Sequence, residues 1–151
     1  MTHARRSIRL PGHDYAQPGA YFVTLGARDR ECVFGDVVHG AMHLNDLGVI
    51  AADAWRWLFT QYDHLEADAF VVMPNHLHGI VTITDVSPPP PSNKPVGRLV
   101  GAYKTVSTKR VNELRGTPGA SIWQRNFYEH IIRDDAELER VRRYIVDNPA
   151  A

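Results

Sequence analysis

The spacing of apolar residues along the chain changes several times, and each change separates one predicted element from the next. Segments rich in aromatic and β-branched residues, or with short continuous apolar runs, predict strands. These segments are YFVTLGA (21–27), the two arms of ECVFGDVVHGAMHLN (31–45), HLEADAFVVMP (64–74), HLHGIVTIT (76–84) and residues 127–132. The second of them predicts a hairpin whose turn lies near His39 and Gly40.

Three further segments have apolar residues at the i, i+3, i+4, i+7 spacing of a helix. Asn45 or Asp46 is predicted to cap the first helix, which continues to about residue 60. The second helix begins at Val96, and RGTPGAS (115–121) ends it because glycine and proline interrupt the helical pattern.

The third helix begins after Asp134, which together with Glu137 has the form of a capping box. Its apolar stripe consists of Leu138, Val141 and Ile145. Pro149 is predicted to end the helix at Asp147 or Asn148 and to disfavour helical backbone geometry at Asn148.

The order of these elements favours an α+β fold, in which helices pack on a mostly antiparallel sheet. A single domain over residues 1–151 accommodates all of them. Residues 1–19 are predicted to form an extended basic entry arm, because arginines and turn-forming Pro and Gly residues occur there together. VSPPPPSNKP (86–95) is predicted to be a Pro-rich loop, since four consecutive prolines remove four backbone donors.

Composition narrows the class of protein. Seventeen basic residues balance 17 acidic ones, so the chain as a whole has no positive field that would attract a nucleic acid. The single cysteine, Cys32, excludes an intramolecular disulfide and a multi-cysteine zinc site. No segment is apolar and long enough for a signal peptide or a membrane span, so we expect a cytoplasmic protein without a membrane partner.

Positive charge is nevertheless concentrated in two segments. Between Lys94 and Arg115, six basic residues face one acidic residue, Glu113, which gives a net charge of +5. The N-terminal segment adds arginines before its first acidic residue. A basic helix is often only a solvated face, and the alternative is a surface that binds a polyanion. The candidate residues for such a surface are Arg5, Arg6, Arg98, Lys104, Lys109 and Arg110.

VVMPNHLHGIV (71–81) places two histidines in an otherwise apolar strand. Side chains two residues apart on a strand share a face, so His76 and His78 should point to one side and Leu77 to the other. Two imidazoles can bind a metal ion if a third ligand comes from elsewhere, whereas two polar residues on a solvated sheet face are the alternative. The chain lacks the Asp-His continuation of several binuclear zinc hydrolases.

The last helix carries a second pair of polar residues at helical spacing. Tyr144 lies at the edge of the apolar stripe, and Asn148 follows one turn later on the same face. Taken alone, Tyr144 is a half-buried packing residue with its hydroxyl in water. The carboxamide oxygen of Asn148 is a suitable ligand for a hard divalent ion.

Three segments occur in the order MPNHLHGIV, WQRNFYEHIIRD and RRYIVDNP, and together they resemble the single-tyrosine HUH transposases. Within that family, the chain is similar to the REP-associated tyrosine transposases, which are IS200-like transposases. The His-hydrophobic-His motif is His76-Leu77-His78 here. LPGHDY and YFVTLGARDRECVFG also resemble this group, so the resemblance covers nearly the whole chain. It implies a ferredoxin-like or RRM-like sandwich.

The resemblance also implies a site and a reaction. His76, His78 and Asn148 would bind a divalent metal ion, Mg²⁺ or Mn²⁺, and Tyr144 would be the nucleophile. The implied enzyme nicks single-stranded DNA and transfers the strand through a covalent 5′-phosphotyrosine intermediate, as transposases of this kind do. Single-stranded DNA, in the form of hairpin-forming repeat elements, is the implied partner, and relatives include both monomers and homodimers.

Two other functions remain open from the residues alone. An RRM-like sheet could bind single-stranded nucleic acid without catalysis, although a pure binder has no need of Tyr144 and Asn148 together with both histidines. A small zinc hydrolase would need a third ligand, for which His130 is the obvious candidate. Among the six tyrosines, Tyr128 is the rival of Tyr144, because its predicted strand could border the site.

Overall fold

The computed structural model describes residues 18–84 and 96–150. The predicted Pro-rich loop (86–95) and all but the end of the predicted arm (1–19) lie outside the described residues. The elements are β1 (Gly19–Gly26), β2 (Gly35–Val38), β3 (Ala41–Leu44), α1 (Asp46–Leu58), β4 (Leu65–Met73), β5 (His76–Ile83), α2 (Val96–Arg115), β6 (Tyr128–Ile132) and α3 (Asp135–Asp147). Two short 3₁₀ turns, Arg28–Arg30 and Asn148–Ala150, follow β1 and α3.

Four strands form an antiparallel sheet in the order β4-β5-β1-β6, and β2 and β3 form a separate hairpin. Taken in chain order, β1, α1, β4, β5, α2 and β6 give the strand–helix–strand–strand–helix–strand topology of a ferredoxin-like sandwich. The predicted fold class is therefore confirmed. The hairpin is inserted before α1, and α3 is added at the end.

The two faces of the sheet are covered by different helices. On one face, α1 and α2 contribute to the main core, and β5 contributes Leu77 and Val81 to it. Trp55 of α1 packs directly over Gly79, where an added Cβ would lie 2.5 Å from the indole ring. The opposite face buries a smaller cluster consisting of Ile80, Ile132 and Ile145 of α3. Because strand residues alternate, His76 and His78 point toward the face that α3 covers.

The predicted helix cap and hairpin turn are found in the structure, and the start of β1 differs from its predicted position. The Asn45 side chain accepts a hydrogen bond from the Gly48 N–H at 2.9 Å and caps α1. His39 and Gly40 both have positive φ, as a two-residue hairpin turn requires. β1 begins at Gly19, two residues earlier than predicted, because this central strand also pairs there with Ile83 of β5.

No helix within residues 18–84 and 96–150 is long and apolar enough to cross a membrane.

Candidate functional site

The side chains of the two histidines of β5 line a cavity of about 290 Å³ at the end of the central strands. His76 lies opposite Gly26 of β1, and His78 lies opposite Thr24, so both are held by pairing in the middle of the sheet. Their ring centroids are 4.5 Å apart. The cavity is lined by these residues and by Arg30, Asn75, Gln124, Asn126, Phe127, Tyr128 and Tyr144.

Both imidazoles are oriented by hydrogen bonds at Nδ1. His76 Nδ1 lies 2.7 Å from Asn75 Oδ1, which can only accept, so the proton resides on Nδ1 and Nε2 keeps its lone pair. His78 Nδ1 lies 2.8 Å from the Thr24 hydroxyl, which can accept in the same way. Within the described residues, neither Nε2 has a hydrogen-bond partner. This is the arrangement in which histidines bind metal ions through Nε2.

Burial keeps both histidines neutral. It lowers the pKa of His78 to about 4, and the neighbouring His76 adds to the effect. Burial also lowers the pKa of His76, with a further contribution from the positive charge of Arg30. Because only the neutral imidazole can bind a metal ion, both side chains are ready to do so near neutral pH.

Histidines and carboxylates do not complete a metal site in the part of the chain that the structure describes, since no group of three His, Cys, Asp or Glu side chains there could hold an ion. A third protein ligand would therefore be an amide or hydroxyl oxygen. Such donors suit Mg²⁺ or Mn²⁺, which accept mixed nitrogen and oxygen ligands and retain bound waters. The donor set fits the ion that the resemblance implies.

Tyr144 lines the same cavity, but it belongs to a helix and not to the sheet. It lies on α3, and its ring contacts the edge of His78 with the centroids 5.3 Å apart. Phe22 of β1 supports both rings, because it stacks on His78 at 5.5 Å and meets Tyr144 edge-on at 6.2 Å. The Tyr144 side chain nevertheless remains 52% exposed, so an extended ligand can approach it.

Asn148 follows Tyr144 by one turn, and the structure corrects one expectation about it. Pro149 was predicted to disfavour helical geometry at Asn148, yet Asn148 has φ −54° and ψ −45° and its N–H donates to the Ile145 carbonyl. The chain tightens into the 3₁₀ turn Asn148–Ala150 and so tolerates the proline. Asn148 thus stays on the Tyr144 side of the helix. It is half-buried and does not line the cavity that contains the histidines.

Polar contacts fix α3 to the sheet at two points. Asp134 caps the helix by accepting from the Glu137 N–H, as predicted, whereas Glu137 accepts from the Arg133 N–H and pairs with His130 at 2.9 Å. Nearer the site, Arg142 donates two hydrogen bonds to Asp68 of β4, at 2.9 and 2.7 Å. The Arg142 guanidinium holds the pKa of the Asp68 carboxyl below its usual range.

The structure separates the six tyrosines by their access to the site. Tyr103 is buried, its hydroxyl donates to the Ala51 carbonyl at 2.9 Å, and burial strongly raises its pKa. Tyr21 is buried in the main core, and Tyr62 lies beside His64. Tyr15 lies outside the described residues. Tyr128 does line the cavity together with Tyr144, so the predicted rival does border the site.

The predicted polyanion-binding residues that the structure describes, all on α2, differ in their surroundings. The Lys104 ammonium donates to the backbone carbonyls of Gln124, Arg125 and Asn126, at 2.8, 3.3 and 3.5 Å, and so holds a segment that lines the cavity. Arg110 packs over the Trp57 ring of α1. Of the four predicted residues on α2, Lys109 and Arg98 are the exposed ones. Arg5 and Arg6 lie outside the described residues.

His130 does not join the other histidines. It lies on β6, bonds to Glu137 and is absent from the lining of the cavity among the described residues. The zinc-hydrolase interpretation thus gains no third ligand there.

Several site residues were missed by sequence reasoning. Thr24 and Asn75 orient the imidazoles, and Arg30 supplies a cation to the cavity wall. Asn75 occurs within the MPNHLHG motif, and Gln124 and Asn126 occur within WQRNFYEH. Their polar side chains next to the predicted site residues could therefore have indicated a role in the site. Arg30 has no comparable signal, because nothing in ARDRE distinguishes it from Arg28.

The sequence profile of the family described as "Transposase IS200 like" matches residues 57–148. A Haemophilus influenzae protein of uncharacterised function is 34% identical over 162 residues, which cover 97% of this chain and 89% of that protein. A second protein of the same organism, provisionally named a REP-associated tyrosine transposase, is 27% identical over 90% of this chain and 73% of its own length.

Two solved structures share the fold. A REP-associated tyrosine transposase bound to a REP hairpin superposes with a TM-score of 0.63 and 22% identity, over 91% of this chain and 70% of the other. A protein of Deinococcus radiodurans provisionally named a transposase gives a TM-score of 0.55 at 19% identity, over 94% of this chain and 99% of the other.

Proposed function

The chain belongs to the IS200-like transposase family, and from that premise we propose that it is a metal-dependent enzyme that nicks single-stranded DNA and transfers the cut strand through a covalent 5′-phosphotyrosine intermediate. Tyr144 is the nucleophile, and His76 and His78 are metal ligands. Asn148 lies one turn after Tyr144 but outside the lining of the histidine cavity, and as the third ligand its side chain would have to turn into that cavity.

One observation carries this proposal. His78 and Tyr144 are 66 positions apart in the chain, yet their rings lie 5.3 Å apart in one cavity. Packing alone does not account for the pairing, because the cavity stays open and polar groups line it. A phenol next to two oriented, neutral imidazoles brings a nucleophile beside candidate metal ligands, which is an arrangement suited to phosphodiester cleavage.

The chain's own residues would perform the following steps. The Tyr144 oxygen attacks the phosphorus of a DNA phosphodiester, and the bond between that phosphorus and the 3′-oxygen breaks. The phenol loses its proton, and the leaving 3′-oxygen takes one up and becomes a free 3′-hydroxyl. The 5′-phosphate is then ester-linked to Tyr144. Strand transfer is the reverse reaction with a different 3′-hydroxyl, and the phosphotyrosine ester conserves the energy of the bond. Phe22 and His78 hold the phenol at the attacking position.

A divalent ion bound by His76, His78 and Asn148 would polarise the phosphodiester and neutralise the negative charge that builds up at phosphorus. Thr24 and Asn75 hold the two imidazoles through Nδ1, which would leave each Nε2 available to such an ion. Burial keeps them unprotonated, so metal binding does not compete with protons near neutral pH.

Single-stranded DNA containing hairpin-forming repeats is the substrate we propose. The structural neighbour bound to a REP hairpin supports this choice at the level of the fold. On this chain, exposed Lys109 and Arg98 and the N-terminal Arg5 and Arg6 are the proposed phosphate contacts.

A non-catalytic single-strand-binding module is the second candidate. The RRM-like sheet topology favours it, but the sheet face that would bind nucleic acid is covered by α3 in this chain. That coverage leaves the cavity beside Tyr144 as the more accessible site.

The test uses the full chain and single-stranded oligonucleotides taken from the sequences that flank its own gene. With Mg²⁺ or Mn²⁺, we expect a shortened strand with a free 3′-hydroxyl and a second fragment that migrates with the protein on a denaturing gel. The matching duplexes, and reactions with EDTA, should stay uncut. Retarded migration on native gels without cleavage under any metal would instead support the binding module.

Loss of the Asp68–Arg142 pair should lower cleavage far more than stability. Arg142→Gln leaves the apolar contacts of α3 in place but frees the helix segment next to Tyr144, so we expect a cleavage rate about 10- to 100-fold lower. Because the pair is partly exposed, unfolding should become easier by only about 1 kcal/mol. Arg140→Gln, which changes an exposed arginine of the same helix that has no ion pair among the described residues, is the control for stability. If Arg142→Gln lowered the melting temperature strongly as well as the cleavage rate, the loss of rate would reflect a general destabilisation.

A further inference from the structure

The turn after β1 places an arginine in the wall of the cavity. Arg30 ends the 3₁₀ turn Arg28–Arg30 and lines the cavity with His76, His78 and Tyr144. Arg30 is itself exposed, so a strand that enters the cavity can reach it.

The backbone of this turn is unusual for the residues it contains. Asp29 and Arg30 both have φ of 56°, a left-handed conformation that residues other than glycine rarely adopt, and two in succession are rarer still. Hydrogen bonds hold it, since the Arg30 N–H donates to the Ala27 carbonyl at 2.9 Å and the Asn75 side chain donates to the Arg30 carbonyl at 3.4 Å. Backbone held in such a conformation is concentrated at functional sites.

Asn75 links this turn to the histidine pair. Its Nδ2 bonds to the Arg30 carbonyl, and its Oδ1 bonds to His76 Nδ1. The position of Arg30 is therefore coupled directly to the orientation of His76.

The Arg30 guanidinium has no carboxylate within ion-pair distance among residues 18–84 and 96–150. Its neighbour differs, because Arg28 pairs with Asp29 at 3.7 Å and lines a separate groove. An arginine that lacks a carboxylate partner among these residues and lies at the edge of a polar cavity is suited to a phosphate, which accepts two parallel N–H bonds from the guanidinium.

We propose that Arg30 binds the DNA phosphate that Tyr144 attacks, or the phosphate next to it, and holds that group between the turn and the histidine pair. The proposal rests on the proposed function for the identity of the phosphate. Binding of the strand by Arg30 itself does not depend on cleavage.

The first test measures binding without cleavage. In the Tyr144→Phe protein with EDTA, fluorescence anisotropy of a labelled single strand is followed over a series of salt concentrations. Arg30→Gln should reduce the slope of log K against log salt by about 0.7, the value expected for one lost phosphate contact on a single strand. Arg30→Lys should retain the slope, and Arg28→Gln is the matched control in the same turn. An unchanged slope for Arg30→Gln, or an equal reduction for Arg28→Gln, would overturn the proposal.

The second test locates the phosphate. A neutral methylphosphonate is placed at one linkage at a time, and affinity is compared between the Tyr144→Phe protein and the double variant that also carries Arg30→Gln. The two affinities should become equal only when the neutral linkage is the one that the wild-type protein cuts or its neighbour. Equality at a distant linkage would place Arg30 elsewhere on the strand and refute the assignment.

Cleavage distinguishes the two proposals from each other. With enzyme in excess and Tyr144 present, Arg30→Gln should cut about 10- to 100-fold more slowly than wild type, as expected for one lost charged hydrogen bond. Normal cleavage by Arg30→Gln would defeat the role of Arg30 and leave the enzyme intact. If wild type cuts no oligonucleotide, the proposed function fails, while the salt slope still decides whether Arg30 contacts a phosphate.

Discussion

Tyr144→Phe should bind single-stranded DNA and metal as wild type does, yet form no covalent adduct. The substitution removes only the hydroxyl of a half-exposed ring, and the contacts of that ring with Phe22 and His78 remain. Removing a nucleophile of this kind should lower cleavage by about 10⁴-fold or more. The free energy of unfolding should change by less than about 0.5 kcal/mol, because the residue is half-exposed and the ring keeps its packing contacts.

Tyr128→Phe is the control that makes this prediction specific. Tyr128 lines the same cavity and meets Phe22 edge-on at 5.9 Å, so an effect of phenol loss in general would appear in both variants. Denaturing gels should show the adduct with Tyr128→Phe and not with Tyr144→Phe. Mass spectrometry of the trapped wild-type complex should find the nucleotide on the peptide that contains Tyr144. An adduct on the Tyr128 peptide would reverse the assignment.

Local spacing was sufficient to predict the part of the site that lies on one strand. The alternation of β5 places His76 and His78 on one face, and the structure shows them there with Leu77 in the opposite core. Hairpin and cap signals acted through neighbouring residues, and these predictions are confirmed within about two residues.

Contacts between segments that are distant in the sequence could not be predicted from local spacing. Helical spacing marks Lys104 as a basic residue on an amphipathic helix, but not that its ammonium binds three carbonyls some twenty residues later in the chain. It also cannot show that α3 lies on the opposite face of the sheet from α1 and α2. The side of a sheet on which a helix packs depends on the total apolar surface that the fold must bury.

Arg30 illustrates a second reason why part of the site could not be predicted from the sequence. The two residues of its turn that have positive φ, Asp29 and Arg30, are not glycines, so the usual sequence signal of a left-handed conformation is absent there. The conformation is held instead by Ala27 and by Asn75, which lies far away in the sequence.

The placement of α3 connects these features. α3 packs on the sheet face that carries the histidines, and the cavity that His76, His78 and Tyr144 share lies on this face at the end of β5. Because few buried residues hold α3, its polar contacts with Asp68 and His130 have a larger share in positioning Tyr144 than such contacts have in the main core.

His78→Ala should abolish metal-dependent cleavage, and it should do so by abolishing metal binding. His78 is one of only two imidazoles that line the cavity among the described residues, so a site of two nitrogen ligands and an amide oxygen would lose a third of its protein donors. The folded protein should survive, because most of the core lies on the other face of the sheet.

Thermal unfolding gives a readout of that loss without any DNA. Metal that binds only the folded state stabilises it, by about 2.7 kcal/mol when its concentration is 100 times the dissociation constant. For a chain of this length that gain corresponds to a rise of about 5–10 °C in Tm. We expect Mn²⁺ to raise the Tm of wild type and of His43→Ala, whose histidine is exposed on β3, and to leave that of His78→Ala unchanged. A Tm rise of equal size in His78→Ala would show that the ion binds elsewhere, and the two histidines of β5 would then be residues of a polar cavity without a metal.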